Sequence, residues 1–288
     1  MIGLISTLVS VAIPLLVITI GLLICEKAGV WNFGAEGIAI STAAVAYVVS
    51  VNTGSILLSL LSVILFSIFL GLLLGILMVH LGLDQVVVGV SIIIFGYGFG
   101  EFLSDTFAPG FLVAPETITI KLFLFEIQPF ILFAFLLIPL AWFILKKTRL
   151  GLIIQSVGDY PVGSDMVGIK VNRIRIACFI FGTVIIGSTG FYLVNSQYLV
   201  FNISIVGGAG FLAIALVRLA NWRIDLITIF AFVFYSFDYI SRFLRTWISI
   251  PEEVIFMSPF LLTLIFYAIS LKWGKKTREP LSLGKAYS

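Results

Sequence analysis

Charge is scarce in this chain. Asp, Glu, Lys and Arg make up 11% of its 288 residues, where a soluble domain carries roughly 25%, and mean hydropathy is +1.21. A water-soluble fold is excluded. Histidine and cysteine are nearly absent, with one His and two Cys. His80 alone leaves no multi-histidine metal site, no hydrolytic constellation accompanies it, and no CxxC or Cys/His cluster occurs. No catalytic residue and no metal ligand is therefore expected. Cys25 and Cys178 fall in apolar segments, where a free thiol behaves as a small buried hydrophobe. A net charge of +3 is too small, and too confined to loops, to mark a nucleic-acid partner. No GxxxxGK followed by Ser or Thr exists, so any ATP that drives this chain binds on another one. The amino terminus lacks both a basic region and an A-x-A cleavage site, so the first hydrophobic segment is expected to stay in the protein.

Apolar runs are what the chain has in abundance. A helix needs about 20 apolar residues to cross about 30 Å of hydrocarbon. That template predicts spans near 5–25, 37–52, 55–79, 85–102, 129–145, 174–194, 205–220, 224–241 and 254–271. The expected fold class is an all-α integral membrane protein, a polytopic helical bundle forming one transmembrane domain over 1–288. It has about nine segments (eight to ten), one or two of them broken or re-entrant, and the short second and seventh segments are the candidates. Gly71 and Gly75, and Gly96 and Gly100, are small residues four apart, a spacing that lets helices approach closely in lipid.

The longest polar break, 146–175, holds Lys146, Lys147, Arg149, Lys170, Arg173 and Arg175, six of the 17 basic residues. An excess of Lys and Arg beside apolar spans marks the cytoplasmic side. Placing this loop inside puts fourteen of the 17 basic residues inside and leaves Lys121, Arg242 and Arg245 outside. The amino terminus is then out and the carboxyl terminus in. The 103–128 loop, with Asp105, Glu116 and Glu126, lies outside, as a surface for a binding protein or as a solvated connector. The polar tail 272–288 is cytoplasmic and is expected to anchor the last span. Within 146–175, Pro161 suits a first helical position, Asp159 the positive end of a helix, and Gly168 a left-handed stop. Val162 and Met166 are four apart and share a face, and an apolar stripe on an exposed helix asks for a partner's groove.

The run Leu150-Gly151, Ser156-Val157-Gly158-Asp159-Tyr160-Pro161, then Asp165-Met166-Val167-Gly168-Ile169-Lys170-Val171 resembles the cytoplasmic signature of bacterial ABC-importer permeases. The branch is the one serving simple sugars, branched-chain amino acids and nucleosides, where the pattern reads LG, AVGxNPxAA, DxxGIxV. This chain departs from it at Ser156, Tyr160, Val162, Gly163 and Ser164. A second stretch, Glu26 to Gly37, resembles ERxGVxNLGxEGxM of the nucleoside-type importers that work with basic-membrane-protein-type lipoproteins. It matches at Glu26, Gly29, Val30, Asn32, Gly34, Glu36 and Gly37, with Lys27 in place of Arg and Phe33 in place of Leu. A third, Gly207 to Leu216, resembles GxGFxAIAVALLG, after which Arg218 to Asp225 departs where relatives have a Gly and a Pro. The three blocks stand in family order and cover about residues 12–235.

The resemblance implies a permease subunit of an ABC importer, multi-pass in the cytoplasmic membrane, moving a nucleoside or related sugar-containing solute by ATP-driven alternating access. The chain itself binds no cofactor; ATP and Mg sit on a separate ATPase. The other partners implied are a second homologous permease forming a heterodimer and an extracytoplasmic substrate-binding lipoprotein. By resemblance the ATPase-coupling residues are Gly158, Asp159, Pro161, Asp165, Met166, Gly168 and Ile169. Pathway or gate candidates are Asn32, Phe33, Glu36, Gly208, Gly210 and Phe211, with Asn32 and Glu36 gating the path or pairing with a basic residue. The residues alone also allow a tight capped loop at 26–37, and at 207–216 either a broken helix near the midplane or close helix packing. The nearest rivals are a simple-sugar or branched-chain amino acid ABC permease. A stand-alone ion-coupled transporter, the rival from another class, places ionisable groups within spans; here almost every acid lies at a boundary.

Overall fold

Small and large side chains are sorted between helices, and that sorting decides which helices lie inside. The computed structural model describes residues 2–109, 120–122, 125–244, 257, 260–268 and 278–287, with side chains placed for 10–109, 128–236, 257, 260–268 and 278–287. Helix α2 (Ala35–Thr53) is rich in Ala, Ser and Thr and contains no Leu, so neighbours approach it closely. Helix α3 (Ile56–Gly75), prolonged by a π-helical turn over Ile76–His80, carries a Leu-rich outer face over a buried stripe of Ser59, Val63, Ser67, Gly71 and Gly75. Helix α1 (Ile2–Lys27) is apolar all round, the pattern of a buried helix. Accordingly 83% of its crossing stretch is buried, and 72% in α2 and in α8 (Val171–Tyr192, continued as π-helical turns over Leu193–Tyr198). The corresponding share is 33% for α3, α4 (Gln85–Phe107) and α5 (Pro129–Lys147), which form the periphery.

Among the described residues six helices are long and apolar enough to cross a membrane: Ser10–Lys27, Ala35–Thr53, Ile56–His80, Gln85–Phe107, Pro129–Lys147 and Val171–Tyr198. The expected count of about nine is not reached among them. Helix α9 (Ala209–Leu219) and the stretch Ile224–Ser236 of α10 (Ile224–Leu244) are shorter apolar helices. Of the ninth expected segment, 254–271, residues 257 and 260–268 are described, and they are helical. The second segment is not short: the helix begins at Ala35, with Glu36 in its first turn, because a carboxylate at a helix start is favourable. The expectation of all-α also needs one amendment. Strands β1 (Ile120–Leu122) and β2 (Phe125–Ile127) pair antiparallel, Ile120 opposite Ile127, between α4 and α5.

The four packing glycines lie at helix contacts. A Cβ on Gly71 would stand 2.8 Å from the Ile180 Cα of α8, and one on Gly75 3.4 Å from the Ile176 side chain. On Gly96 it would stand 2.4 Å from the Gly37 carbonyl of α2, and on Gly100 3.0 Å from Phe201. The Ser59 hydroxyl of α3 donates to the Ala46 carbonyl of α2 at 2.9 Å.

After α8 the chain turns back into the bundle without forming a helix. Phe201 stacks on Tyr47 with centroids 6.0 Å apart, while Gly208 reaches Glu36, so residues 201–208 descend along roughly 16 Å of α2 at 1.5 Å per residue. Helix α9 completes the crossing. The seventh segment is thus half loop and half helix, with Gly207 and Gly208 at φ 62° and 79° stopping helix formation until Ala209. Between α5 and α8, the polar stretch folds into α6 (Arg149–Asp159), capped by Thr148 with Gly151 N–H donating at 3.2 Å, and α7 (Pro161–Met166).

Candidate gate and docking surface

The carboxylate of Glu36 joins two helix starts. It sits in the first turn of α2 and is buried to 1% exposure. Its Oε1 accepts from the Gly208 N–H at 2.9 Å and its Oε2 from the Gly210 N–H at 2.6 Å, at the amino end of α9. These N–H groups have no partner within their own helix, and the positive ends of both helices favour the negative charge. The expected pairing of Glu36 with a basic residue is therefore replaced by pairing with backbone donors. Contact here is tight, because a Cβ on Gly210 would lie 2.5 Å from Glu36 N and 2.7 Å from its Cα. Phe211, one residue on, is 46% exposed.

At the far end of α9, where α1 ends, lies a second polar cluster. Glu26 is buried and accepts from the Trp222 indole N–H at 2.6 Å. Trp222 and Asn221 form the turn between α9 and α10, both in the left-handed region with φ 53° and 51°. The residues that depart from the family pattern thus build this turn and supply the donor. Arg218 lies over the Trp31 ring, 5.4 Å from its centroid, a cation–π contact. Trp31 meets Phe33 edge to face at 5.3 Å, and its backbone N–H donates to Gln85 Oε1 at 2.7 Å. Asn32 lies among these groups at 1% exposure, and neither its amide oxygen nor its nitrogen reaches a nitrogen or oxygen partner. A buried amide without partners has a cost that a moving or hydrated state would relieve.

At the same end, the α6–α7 turn presents an apolar surface. Tyr160, Val162, Met166 and Val167 are 68%, 54%, 82% and 75% exposed. Pro161 is the first residue of α7, and Gly168, at φ 86°, ends it, with its N–H donating to the Asp165 carbonyl at 2.8 Å and Ile169 N–H to Ser164 O at 3.1 Å. Asp159 and Asp165 are exposed, and Ile169 is half-buried. Gly158 faces the other way: it is buried, and a Cβ there would stand 2.2 Å from the Lys27 carbonyl at the end of α1.

From sequence the tail is expected to anchor the last span, and Arg175 counts only as one of the loop cations that mark the cytoplasmic side. The structure instead lays residues 278–287 across this end of the bundle. Arg175, in the first turns of α8, is 1% exposed and donates through Nη1 to the Lys285 carbonyl at 2.9 Å and through Nη2 to the Ser282 hydroxyl at 2.8 Å. The Ser282 N–H donates to Gly158 O at 3.0 Å and the Gly284 N–H to Gly29 O at 3.2 Å. Tyr287 lines one cavity with Asp165, and burial followed by that carboxylate holds its pKa above the usual phenol value. The usable signal was Arg175 itself, since a cation inside an apolar span demands a partner.

Six helices long and apolar enough to cross a membrane among the described residues, a half-length helix set on a buried carboxylate, and an exposed apolar helix between two of the long ones fit a multi-pass membrane transport subunit. The sequence matches the family described as branched-chain amino acid transport system permease component over residues 4–270. The chain belongs to that family and is a permease subunit of an ABC transporter. It is 28% identical over 287 residues to the guanosine ABC transporter permease protein of Bacillus subtilis, covering 90% of this chain and 89% of the relative. It is 27% identical over 283 residues to the nucleoside ABC transporter permease protein of Lactococcus lactis subsp. cremoris, covering 90% and 89%. Identity is 28% over 249 residues to a putative glucose ABC transporter permease protein of Haloferax volcanii, covering 82% and 76%. No solved structure matches the chain.

Proposed function

We propose that this chain pairs with a second, non-identical permease to form the membrane pathway of an importer for a nucleoside or a related sugar-containing solute. A separate ATPase, holding ATP and Mg, docks on α7, which faces the cytoplasm together with the carboxyl terminus. A substrate-binding lipoprotein delivers the solute from outside. The observation that carries this reading is the exposed apolar side of α7, held rigidly between Pro161 and Gly168 and backed by Gly158 against α1. A helix with that surface has use for a partner's groove. Its displacement by the ATPase pushes the end of α1 and the 28–34 loop, and shifts the α2 start on which Glu36 holds α9. Asn32, Phe33, Glu36, Gly208, Gly210 and Phe211 then form the gate and the adjoining wall of the pathway.

Nucleoside transport is supported by the relatives from Bacillus and Lactococcus, which align over nine-tenths of the chain. A simple sugar is the second reading, favoured by the glucose-type relative. Copurification of the tagged chain from its native membrane, with mass spectrometry, tests the assembly. An ATPase and a second permease should be recovered, and both should be lost from a Gly158→Glu, Asp165→Arg control. Recovery of the chain alone, with an identical control, would replace this reading by a self-contained transporter.

A further inference from the structure

The contact through Gly158 is one of packing, and packing transmits a push but not a pull. An alternating cycle moves in both directions, so the return stroke needs attractive bonds between the α6–α7 turn and the gate loop. Segment 278–287 supplies them. On one side it is bonded to the turn, through Ser282 N–H to Gly158 O at 3.0 Å and Leu281 N–H to Asp159 Oδ1 at 3.4 Å. On the other it is bonded to the gate, through Gly284 N–H to Gly29 O at 3.2 Å, and a Cβ on Gly284 would stand 3.0 Å from the Trp31 ring. Arg175 fixes its middle, its Nη1 donating to the Lys285 carbonyl and its Nη2 to the Ser282 hydroxyl. Leu283 is buried in the apolar core of the bundle. Arg278 ties the segment to the end of α1 and to the α9–α10 turn, its carbonyl accepting from Lys27 Nζ at 3.3 Å and its N–H donating to Asn221 Oδ1 at 2.6 Å.

We propose that residues 278–287, pinned by Arg175, are a tension link that draws the Trp31–Glu36 gate with the α6–α7 turn, and that Ser282 and Gly284 are positioning residues for transport. This rests on the reading of α7 as the ATPase dock. Ser282 and Gly284 bond Gly158, Arg175 and Gly29 rather than the exposed apolar side chains of α7, so variants at these two positions leave docking in place.

The test uses the full complex in proteoliposomes and reads solute uptake and ATP hydrolysis separately. Ser282→Ala removes one hydroxyl and adds no bulk. Gly284→Val forces a branched residue into φ 77° against Trp31. Both are expected to copurify with the ATPase and hydrolyse ATP, while uptake per ATP falls about tenfold, within the usual range of site-to-site coupling. An unchanged ratio in Ser282→Ala overturns the link whether or not Gly284→Val inserts, and so does equal loss of uptake and hydrolysis, which marks a merely structural role. Failure of the unaltered chain to bind an ATPase sinks the docking reading instead.

Discussion

Glu36 shows how a single residue can be legible in importance and misread in mechanism. Its position in the Glu26–Gly37 stretch marked it, but a carboxylate near lipid suggests a cationic partner, and the actual donors are backbone N–H groups of residues 208 and 210. Sequence spacing carries no sign that these groups, 172 and 174 positions away, are its ligands. The charge itself matters for this arrangement, because two charge-assisted bonds at a helix start exceed neutral ones. Glu36→Gln keeps the shape and drops the charge, and one of the two N–H groups then faces an amide nitrogen. A loss of about 1–2 kcal/mol is expected, seen as a lower midpoint in thermal unfolding of the purified protein. Unfolding at the wild-type temperature would mean that the bonds to α9 contribute nothing.

Among the elements, α7 was readable because its signals are local: Pro161 to start, Gly168 to stop, Val162 and Met166 on one side. Helix α9 was readable only as a Gly-rich lead-in to a short apolar run. The apolar residues Val200, Ile203, Ile205 and Val206 satisfy a hydropathy template while their backbone is not helical, which is why apolar length alone does not locate where the helix of the seventh segment starts. Gly168→Val tests α7 as an element. At φ 86° a β-branched residue is strained by roughly 1–3 kcal/mol, yet its Cβ meets nothing within 4 Å. Insertion and abundance should stay normal while transport is abolished; normal uptake would remove the docking role of this turn. Met166→Asp leaves the backbone alone and places a charge on the most exposed apolar side chain of α7, at 82% exposure. ATPase association should weaken by about tenfold to a hundredfold, the cost of a hot-spot side chain, and unaltered association in a pull-down titration would place the dock elsewhere.

For the molecule as a whole, the clustering of basic residues near α7 predicts its direction in the membrane. Lys27, Lys146, Lys147, Arg223, Arg278 and Lys285 gather at the end that carries α7, joined by Arg175 in the interior. Lys and Arg beside spans are retained on the cytoplasmic side, and an ATPase reaches α7 only from there. The hairpin between α2 and α3, at Thr53 and Gly54, lies at the other end of α2. Native thiols do not interfere with a labelling test, since Cys25 and Cys178 are both buried. Gly163→Cys adds a thiol at an exposed site with its nearest neighbour 4.0 Å away, and Thr53→Cys one at the exposed opposite end. In intact cells a membrane-impermeant maleimide should modify Thr53→Cys at once and Gly163→Cys only after permeabilisation. The reverse pattern would put α7 outside, where no ATP is available, and the docking of an ATPase, the gate and the tension link would fail together. The expected pattern would leave the strap and the Glu36 contact on the cytoplasmic half, so that the non-helical descent from Phe201 to Gly208 opens toward the side from which solute arrives.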